Sequence, residues 1–385
     1  MVWHDADRIS KRKIILALKL LVISDYTDTW NSVRPEAEMF IGMVALGVDL
    51  TLMTQADAEY VPRFLEKGVK IIDFHPKKKI QWSAIKRIRT ELKQGNYDAV
   101  YLFNNKAITN TLFAAIGLPV ITVSYRGQTG NIYRYDPSTY LTHLHPRLDG
   151  ILCVANAVRD DLYRHSFLPK ERIQTVYKGH DLAWYQKSPA DLVSLGIPSD
   201  AFVVVCVANN RPRKGVSVLL AATHNLPLES NIHLLLVGAG MDSEEVSEQI
   251  KASPMSDRIH VAGFRRDAPE LIAACNVSVL PSIKREGLPK TVIESMVYGV
   301  PPIVSDTGGS AELVIDAESG FVVVPRNSQQ ISDAVLTLWR DPKLCEEIGK
   351  NAKQRIHDEF HTSQSSLQTK NYFESLVSSV GARYS

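Results

Sequence analysis

Short apolar runs alternate with helical segments along almost all of this 385-residue chain. An apolar run of about four to eight residues between polar turns is typical of a buried parallel strand, and helices between such strands cover both faces of the sheet. We predict strands near residues 14–23, 48–53, 69–72, 98–103, 120–124, 151–154, 173–177, 202–207, 232–237, 259–262, 277–280, 302–304 and 321–324. The pattern predicts an α/β protein with two Rossmann-like domains that face each other across a cleft.

The predicted strands fall into two series, which residues 179–189 separate. We therefore assign residues 1–182 to an N-terminal domain and residues 183–365 to a C-terminal domain. Residues 366–385 complete a C-terminal helix whose pattern begins near residue 362.

The composition is that of an ordinary globular protein, with 45% hydrophobic and 22% charged residues. No apolar run is long enough to span a bilayer, and the first residues lack the pattern of a signal peptide. The four cysteines are far apart in sequence, which favours buried free thiols over disulfides or a zinc site. These features predict a cytoplasmic protein.

The net charge of +2 conceals a difference between the two halves of the chain. Residues 1–180 contain 25 lysines and arginines against 18 acidic residues, whereas residues 181–385 contain 19 against 24. The basic first half predicts an anionic partner. No nucleic-acid-binding motif accompanies this charge, so we do not expect that partner to be a nucleic acid.

Two carboxylates lie in one βαβ unit of the second half. Glu286 follows the predicted strand 277–280, and Glu294 lies in the second turn of a helix that Pro289 begins. Ligands bind outside the carboxyl ends of parallel strands, and the N–H groups at a helix start favour phosphate oxygens. The two glutamates and the backbone of residues 287–290 therefore predict a site for a phosphate or another polar ligand. The alternative is that both are ordinary loop and surface-helix carboxylates.

The spacing of Glu286 and Glu294, E-x7-E, is followed by a G-x-P turn at 299–301 and a G-G-x-x-E loop at 308–312. These motifs resemble, in pattern and order, those of the retaining nucleotide-sugar glycosyltransferases of family 4, which have the GT-B fold. The resemblance extends over nearly the whole chain and is strongest over residues 205–324. It implies that the second domain binds a nucleoside diphosphate sugar and that the last helix crosses back onto the first domain. The one D-x-D of the sequence, Asp5-Ala6-Asp7, precedes the first predicted strand and does not resemble a metal-binding motif, so we expect basic side chains to replace a metal ion, and we expect no other cofactor.

The resemblance implies roles for individual residues of the second half. Catalytic roles fall to Arg211, Lys214 and Glu286. Donor binding falls to Gly263, Phe264, Gly287, Leu288, Pro289, Lys290, Glu294, Gly308, Gly309 and Glu312. Within this set, Glu294 would accept hydrogen bonds from the ribose hydroxyls.

One position departs from the family pattern. The family commonly has an arginine five residues before the lysine, where this chain has Asn209. Either Arg211 or Arg213 must then bind the diphosphate. We favour Arg211, because Pro212 stiffens the turn between it and Lys214.

The basic first half would bind the acceptor, a glycan or a lipid-linked sugar. Polar loops at strand ends supply the candidate residues Arg34, Asn105, Lys106, Tyr125 and Arg126. Residues 31–36 replace the Gly-Gly loop of the family, so Arg34 either contacts a negative group of the acceptor or belongs to a solvated helix cap. Ser124 or Tyr125 stands where related enzymes often have a histidine near the reacting sugar.

Residues 75–94 form the densest basic stretch, and Trp82, Ile85, Ile88 and Leu92 recur within it at helical spacing. An amphipathic helix with lysines and a tryptophan can lie on an anionic membrane surface. The alternative is a surface helix that packs its apolar stripe on the sheet. We predict that packing uses the stripe at least in part, and we leave peripheral membrane contact open.

Two further patterns are weak indicators. His143 and His145 lack a third ligand at compatible spacing, which favours structural roles over a metal site. The G-x-G at residues 238–240 lacks the rest of a dinucleotide-binding fingerprint.

The motifs together predict a retaining glycosyltransferase that moves a sugar to a hydroxyl of an acceptor, with cell-envelope glycans such as lipopolysaccharide as the expected setting. A sugar-nucleotide epimerase of the same fold is the first alternative. A non-catalytic, membrane-associated partner of a glycan assembly complex is the second.

Overall fold

A computed structural model describes residues 17–28 and 30–380. Its two parallel sheets, of seven and six strands, confirm the α/β class with two Rossmann-like domains. The predicted strand residues 14–16 and the last residues of the predicted C-terminal helix, 381–385, lie outside the described residues, as does the region considered for a signal peptide.

The first sheet has the strand order β3-β2-β1-β4-β5-β6-β7. Its strands are β1 (Lys19–Ile23), β2 (Asp49–Thr54), β3 (Lys70–Asp73), β4 (Ala99–Leu102), β5 (Ile121–Arg126), β6 (Gly150–Cys153) and β7 (Ile173–Thr175). The helices between them are α1 (Trp30–Ala45), α2 (Val61–Glu66), α3 (Trp82–Gly95), α4 (Asn104–Ala114) and α5 (Asn156–Tyr163). The strand order reverses where β1 pairs with β4, which creates a crevice at the carboxyl ends of these strands.

The second sheet has the strand order β10-β9-β8-β11-β12-β13. Its strands are β8 (Phe202–Val207), β9 (Ile232–Val237), β10 (Ile259–Gly263), β11 (Val277–Leu280), β12 (Pro302–Ser305) and β13 (Phe321–Val323). The accompanying helices are α6 (Val216–Ala222), α7 (Glu244–Ala252), α8 (Ala268–Ala273), α9 (Lys290–Val297), α10 (Ser310–Leu313), α11 (Ser328–Arg340), α12 (Pro342–Glu359) and α13 (Thr362–Val380). Here the order reverses between β8 and β11, so the turns that follow these two strands lie side by side.

Every predicted strand is present, and all but the first agree with the structure to within two residues at each end. The reason is that strands such as β4, β9 and β11 are buried along their whole length, so each is an unbroken apolar run. The predicted helix at residues 362–380 is confirmed as α13.

Helix α1 begins at Trp30, earlier than the predicted start at Pro35, so most of the segment predicted as a loop is helical. Proline is common at the first position of a helix, but Pro35 lies inside α1, where its missing N–H removes one hydrogen bond. Val33, Ala37 and Phe40 are buried on one face of the helix. The burial of this face stabilises the additional turn.

Helix α13 packs on α1 and so joins the end of the chain to the first domain, as predicted. Ser366 Oγ donates a hydrogen bond to the backbone oxygen of Met39 at 2.9 Å. A Cβ atom at Gly42 would collide with the side chain of Ser366, so the glycine permits the close approach of the two helices. Tyr372 and Phe373 of α13 are buried in the core of the first domain.

The apolar stripe of α3 is divided between core and surface. Ile85, Ile88 and Leu92 are buried against the first sheet, whereas Trp82 is 80% exposed. Trp82 begins the helix and therefore does not share the packing face that its spacing predicted. Ile80, just before it, is also exposed.

Candidate active site

Lys214 and Glu286 form an ion pair at the carboxyl ends of β8 and β11. The Lys214 ammonium donates to Glu286 Oε1 at 2.6 Å, and Ser282 Oγ donates to the same oxygen at 2.7 Å. Glu286 is only 4% exposed. Because β8 and β11 are neighbours in the sheet, two residues distant in sequence meet here.

A glycine fixes the turn that carries Lys214. Gly215 has a φ of 72°, and a Cβ atom there would collide with the carbonyl oxygen of Pro281. The turn after β8 therefore lies directly against the loop after β11. This close contact places Lys214 against Glu286.

A cavity of about 320 Å³ adjoins the ion pair and lies at the ends of β8 and β9. Its lining includes the predicted residues Arg211, Lys214, Phe264, Pro289 and Lys290, and also Arg213. We call this space the donor cavity. The structure thus brings together basic side chains and apolar wall residues that come from four different loops.

Both candidate arginines line the donor cavity. Arg213 Nη1 donates to the backbone oxygen of Arg285 at 3.1 Å and lies 4.0 Å from Glu286 Oε1. Within the described residues, Arg211 has no carboxylate partner. The free guanidinium favours Arg211 as the ligand of a diphosphate, and the choice between the two stays a prediction.

The turn after β10 forms the outer wall of the donor cavity. Gly263 ends β10 with a φ of 63°, and its carbonyl oxygen accepts a hydrogen bond from Gly238 N at 2.7 Å. Phe264 follows it, and 64% of its surface is exposed at the wall. Asn209, in place of the family arginine, accepts a hydrogen bond from the backbone N–H of Ala239 at 3.3 Å, which is a structural role.

The backbone that leads into α9 has free donors. Within the described residues, the N–H groups of Gly287 and Leu288 have no hydrogen-bond acceptor. Pro289 has no N–H and contributes only its ring to the cavity wall. Gly287 and Leu288 are therefore the predicted loop residues best able to bind an anionic oxygen.

Glu294 faces a second cavity, of about 210 Å³, between the two domains. Glu294 is 3% exposed, and its carboxylate forms an ion pair with the Lys290 ammonium at 2.8 Å. Burial raises the pKa of the Glu294 carboxyl, and the nearby Lys290 ammonium opposes that shift. A buried carboxylate with one partner can accept further hydrogen bonds from a ligand.

Arg34 lies in this second cavity and not with the other predicted acceptor residues. Its guanidinium stacks over the ring of Trp184, 4.7 Å from the ring centroid, and Glu294 lines the same space. Arg34 is thus close to the residue predicted to bind the ribose. Its role with the acceptor stays a prediction, but its position is on the donor side.

The glycine loop at residues 308–312 packs against the loop that carries Glu286 and Gly287. A Cβ atom at Gly308, where φ is 55°, would collide with the carbonyl oxygen of Glu286, and one at Gly309 would collide with that of Gly287. Gly287 itself lies against Gly127 of the first domain. These glycines let three loops meet at the cleft, and only glycine fits between the backbones.

Glu312 contacts the first domain. Its carboxylate oxygens accept hydrogen bonds from the backbone N–H groups of Asn156 and Ala157 at 2.8 and 2.7 Å, and from Tyr177 Oη at 2.8 Å. It therefore caps the N-terminus of α5 across the domain boundary. Glu312 does not line the donor cavity, although the motif predicted a donor-binding role.

The remaining predicted acceptor residues lie at the ends of β4 and β5. Asn105 and Lys106 are exposed in the first turn of α4. The ring of Tyr125 stacks on Phe103, with centroids 4.8 Å apart. The Arg126 guanidinium donates to the carbonyl oxygen of Gly130, while its buried Nε has no partner in the described residues.

A partly buried network at the end of β1 was not predicted. Lys178 Nζ donates to Glu36 Oε2 at 2.7 Å and lies 4.3 Å from the ring centroid of Tyr125. Ser24 Oγ donates to the other oxygen of Glu36 at 2.7 Å. No local pattern could have indicated this pairing, because Glu36 and Lys178 meet only through tertiary structure.

His143 has the structural role that its sequence predicted. Its Nδ1 lies 3.1 Å from Ser124 Oγ at the end of β5. Burial and, to a lesser extent, the neighbouring Arg126 lower the pKa of His143 to about 3. The imidazole is therefore neutral.

Family models match most of the described chain. Residues 37–184 match the model of glycosyltransferase family 4, and residues 188–355 match that of the glycosyl transferases group 1. The chain belongs to the family 4 glycosyltransferases. The boundary between the two matches, at residues 184–188, falls within residues 179–189, which separate the two predicted series of strands.

Named relatives are distant. The α-maltose-1-phosphate synthase of Mycolicibacterium smegmatis is 27% identical over 57% of this chain and 62% of its own length. The N-acetyl-α-D-glucosaminyl L-malate synthase of Bacillus anthracis is 26% identical over 51% of this chain and 52% of its own length. The chain thus spans less than two thirds of these relatives.

Solved structures confirm the GT-B architecture. A glycosyltransferase from Rickettsia africae superposes with a TM-score of 0.80 at 16% identity, over 94% of this chain and 99% of its own. Anabaena HepE in complex with UDP-glucose superposes with a TM-score of 0.74 at 21% identity, over 93% and 100%. At such identities the likeness establishes the fold alone.

Two features are absent from residues 17–28 and 30–380. No cluster of three or more histidine, cysteine or acidic side chains could hold a metal ion there. No helix in these ranges has the length and apolarity needed to cross a bilayer. The expectation that catalysis needs no metal stays a prediction.

Proposed function

We propose that this chain is a retaining glycosyltransferase that moves a sugar from a nucleoside diphosphate sugar to a hydroxyl of a glycan or lipid-linked acceptor. The observation that carries the proposal is the donor cavity. In it, Arg211 and Lys214 converge beside the buried carboxylate of Glu286, next to the free N–H groups that precede α9.

The main chemical demand of the reaction is the negative charge that develops on the departing diphosphate. Preorganised cations and backbone donors stabilise such charge strongly in a site that excludes water. Arg211 and Lys214 supply the cations, and the backbone N–H groups of Gly287 and Leu288 supply the donors. We propose that these groups do the work that a metal ion would otherwise do.

The two glutamates bind the other two parts of the donor, its sugar and its ribose. Glu286, fixed by Lys214 and Ser282, is placed to accept hydrogen bonds from sugar hydroxyls. Glu294 is placed to accept hydrogen bonds from the ribose in the adjoining cavity. The Glu270 carboxylate lines the same cavity as Glu294 and contributes to its raised pKa. Glu286 and Glu294 are each paired with a lysine, and we assign neither the role of a general base.

The acceptor would bind on the first domain, with Asn105, Lys106 and Arg126 as its polar contacts. We propose a cell-envelope glycan as the acceptor class and a location on the inner membrane face. Trp82 and Ile80 support this, because two exposed apolar side chains beside the lysines at 77–79 suit contact with an anionic bilayer.

A panel of nucleotide sugars tests the proposal. We expect one nucleoside diphosphate to bind with micromolar affinity, and its sugar conjugate to be hydrolysed slowly without an acceptor. Conversion of the donor into an epimer, with no acceptor present, would show the epimerase instead. Absence of nucleotide binding across the panel would reject both readings and favour a non-catalytic partner.

A further inference from the structure

A third cavity lies across the turn that carries Arg211 and Lys214. Its volume is about 330 Å³, and it opens at the carboxyl ends of β8, β11 and β13. Its charged lining consists of Arg211, Arg213, Lys284, Arg326 and Glu245. We call it the Lys284–Arg326 pocket.

The charges of this pocket are unbalanced. Four cationic side chains face one carboxylate, that of Glu245. In the described part of the chain, neither Lys284 nor Arg326 forms an ion pair, and Glu245 has none either. Of the four cations, Arg213 has a further carboxylate 4.0 Å away, that of Glu286. The other cations repel one another, and an anion that enters relieves this repulsion.

One of these cations, Arg326, has a strained backbone conformation. Arg326 follows β13 with a φ of 68°, a left-handed conformation that disfavours side chains other than glycine or asparagine. Arg285, next to Lys284, has a φ of 62°. Glycine at position 326 would relieve this strain. An arginine that keeps the strained conformation and borders a cavity therefore indicates a use for its side chain in that cavity.

The pocket adjoins both the reaction centre and the first domain. It shares Arg211 and Arg213 with the donor cavity, from the opposite side of the same turn. The side chain of Arg285 extends from this loop towards Gly130 of the first domain, where an added Cβ atom would lie 3.4 Å from its Nε. A ligand in the pocket would therefore lie beside a bound donor and close to the predicted acceptor loops.

We propose that the Lys284–Arg326 pocket binds an anionic group of the acceptor, a phosphate or a carboxylate, while the donor occupies its own cavity. This inference rests on the proposed function and specifies the acceptor as an acidic or phosphorylated glycan. A concave site with converging cations suits a single compact anion. Lys284 and Arg326 are also exposed, so an anionic lipid surface is the competing ligand, and it serves below as the competing outcome.

The test uses the full chain with its nucleoside diphosphate at saturation, so that the donor cavity is filled. Inorganic phosphate is then titrated, and its affinity is measured by calorimetry or by chemical shifts. We expect one phosphate to bind, and Lys284→Gln and Arg326→Gln each to weaken it by about tenfold, the scale for a charge-assisted hydrogen bond. Both side chains are exposed, so neither change should affect folding.

Two further variants sharpen the test. Glu245→Gln removes the one opposing carboxylate and should tighten phosphate binding by about threefold, a gain that no loss of structure would produce. Lys353→Gln makes the same charge change on an exposed position of α12 and should leave binding unaltered.

The outcomes separate this inference from the proposed function. Normal nucleotide binding with no phosphate binding would overturn the inference alone, as would phosphate binding that is indifferent to Lys284 and Arg326. Binding to anionic vesicles that needs Lys284 and Arg326, without phosphate binding, would assign the surface to a membrane and overturn the acceptor role. Failure of the nucleotide itself to bind would reject the proposed function first.

Discussion

Arg211 and Arg213 are two residues apart and line the same cavity, but their surroundings differ. Arg213 is held by the backbone oxygen of Arg285, whereas Arg211 has no partner in the described residues. A guanidinium without a partner can move to meet a diphosphate, and one that is already bonded must give up a contact. This difference makes Arg211 the better candidate for stabilising the leaving group.

We predict that Arg211→Gln lowers kcat by about 10²-fold, the usual scale for loss of a charge-stabilising group, and that Arg213→Gln has a smaller effect. Steady-state transfer or donor hydrolysis measures both. Arg213→Gln serves as the matched control, since it makes the same change on the same turn. A larger loss in Arg213→Gln would transfer the role to that residue.

Glu294 offers a second test at the scale of one side chain. Glu294→Gln should weaken binding of the nucleoside diphosphate by about tenfold, because an amide oxygen accepts hydrogen bonds less strongly than a carboxylate. Titration calorimetry gives the affinity directly.

Stability separates this effect from damage to the fold. Burial raises the pKa of Glu294, which means that folding disfavours its charged form, so the neutral amide should not lower the free energy of unfolding. Glu346→Gln, at an exposed carboxylate of α12, is the control. Unaltered nucleotide affinity in Glu294→Gln would refute the ribose contact.

At the scale of elements, α13 depends on the absence of a side chain in α1. We predict that Gly42→Ala lowers the free energy of unfolding by about 1–3 kcal/mol, because the new methyl group overlaps Ser366. Denaturant unfolding measures this change, and proteolysis within α13 should become faster. The loss should be smaller in Gly42→Ala combined with Ser366→Gly than the two single losses together. Additive losses would contradict the contact.

Helix α3 has an exposed first residue and a buried face, so membrane binding and stability should depend on different residues. Trp82→Gln should reduce binding to anionic vesicles by about tenfold or more while leaving stability unaltered, because Trp82 is 80% exposed. Co-sedimentation with vesicles measures the binding. Leu65→Gln, at an exposed leucine of α2, is the matched control. Equal binding of the wild-type chain and Trp82→Gln would remove α3 as a membrane contact.

At the scale of the whole molecule, Glu312 joins the two domains. It accepts two backbone hydrogen bonds from the start of α5 and a third from Tyr177, on the far side of the cleft. Gly287 and Gly309 allow the loops beside it to touch the first domain at Gly127 and Ala155. These contacts define a closed arrangement, and closure excludes water from a reacting donor.

We predict that Glu312→Gln weakens closure and so lowers transfer by about tenfold, with nucleotide affinity unaltered, because Glu312 does not line the donor cavity. The ratio of donor hydrolysis to transfer should rise. Glu318→Gln, at an exposed carboxylate nearby in sequence, should change neither quantity. A loss of nucleotide affinity without a loss of transfer would return Glu312 to the donor site that its motif predicted.

The sequence by itself determined the architecture. Parallel strands that are buried on both faces must be continuous apolar runs, so β8, β9 and β11 could be located to the residue. It also placed Lys214 and Glu286 after two strands whose carboxyl ends meet, and the two side chains do pair there. The predicted start of α1 at Pro35 was wrong. Proline favours the first turn of a helix, but the burial of Val33 stabilises helical structure before Pro35.

Only the tertiary structure decided what each polar side chain contacts. Glu286 and Glu312 belong to neighbouring motifs, yet one pairs with Lys214 and the other caps a helix of the opposite domain. Arg34 lies with Glu294, and the Lys284–Arg326 pocket gathers cations from three separate loops. The physical reason is that a strand is specified by its own residues, whereas the partner of a charge is whatever the packed chain brings within about 4 Å of it.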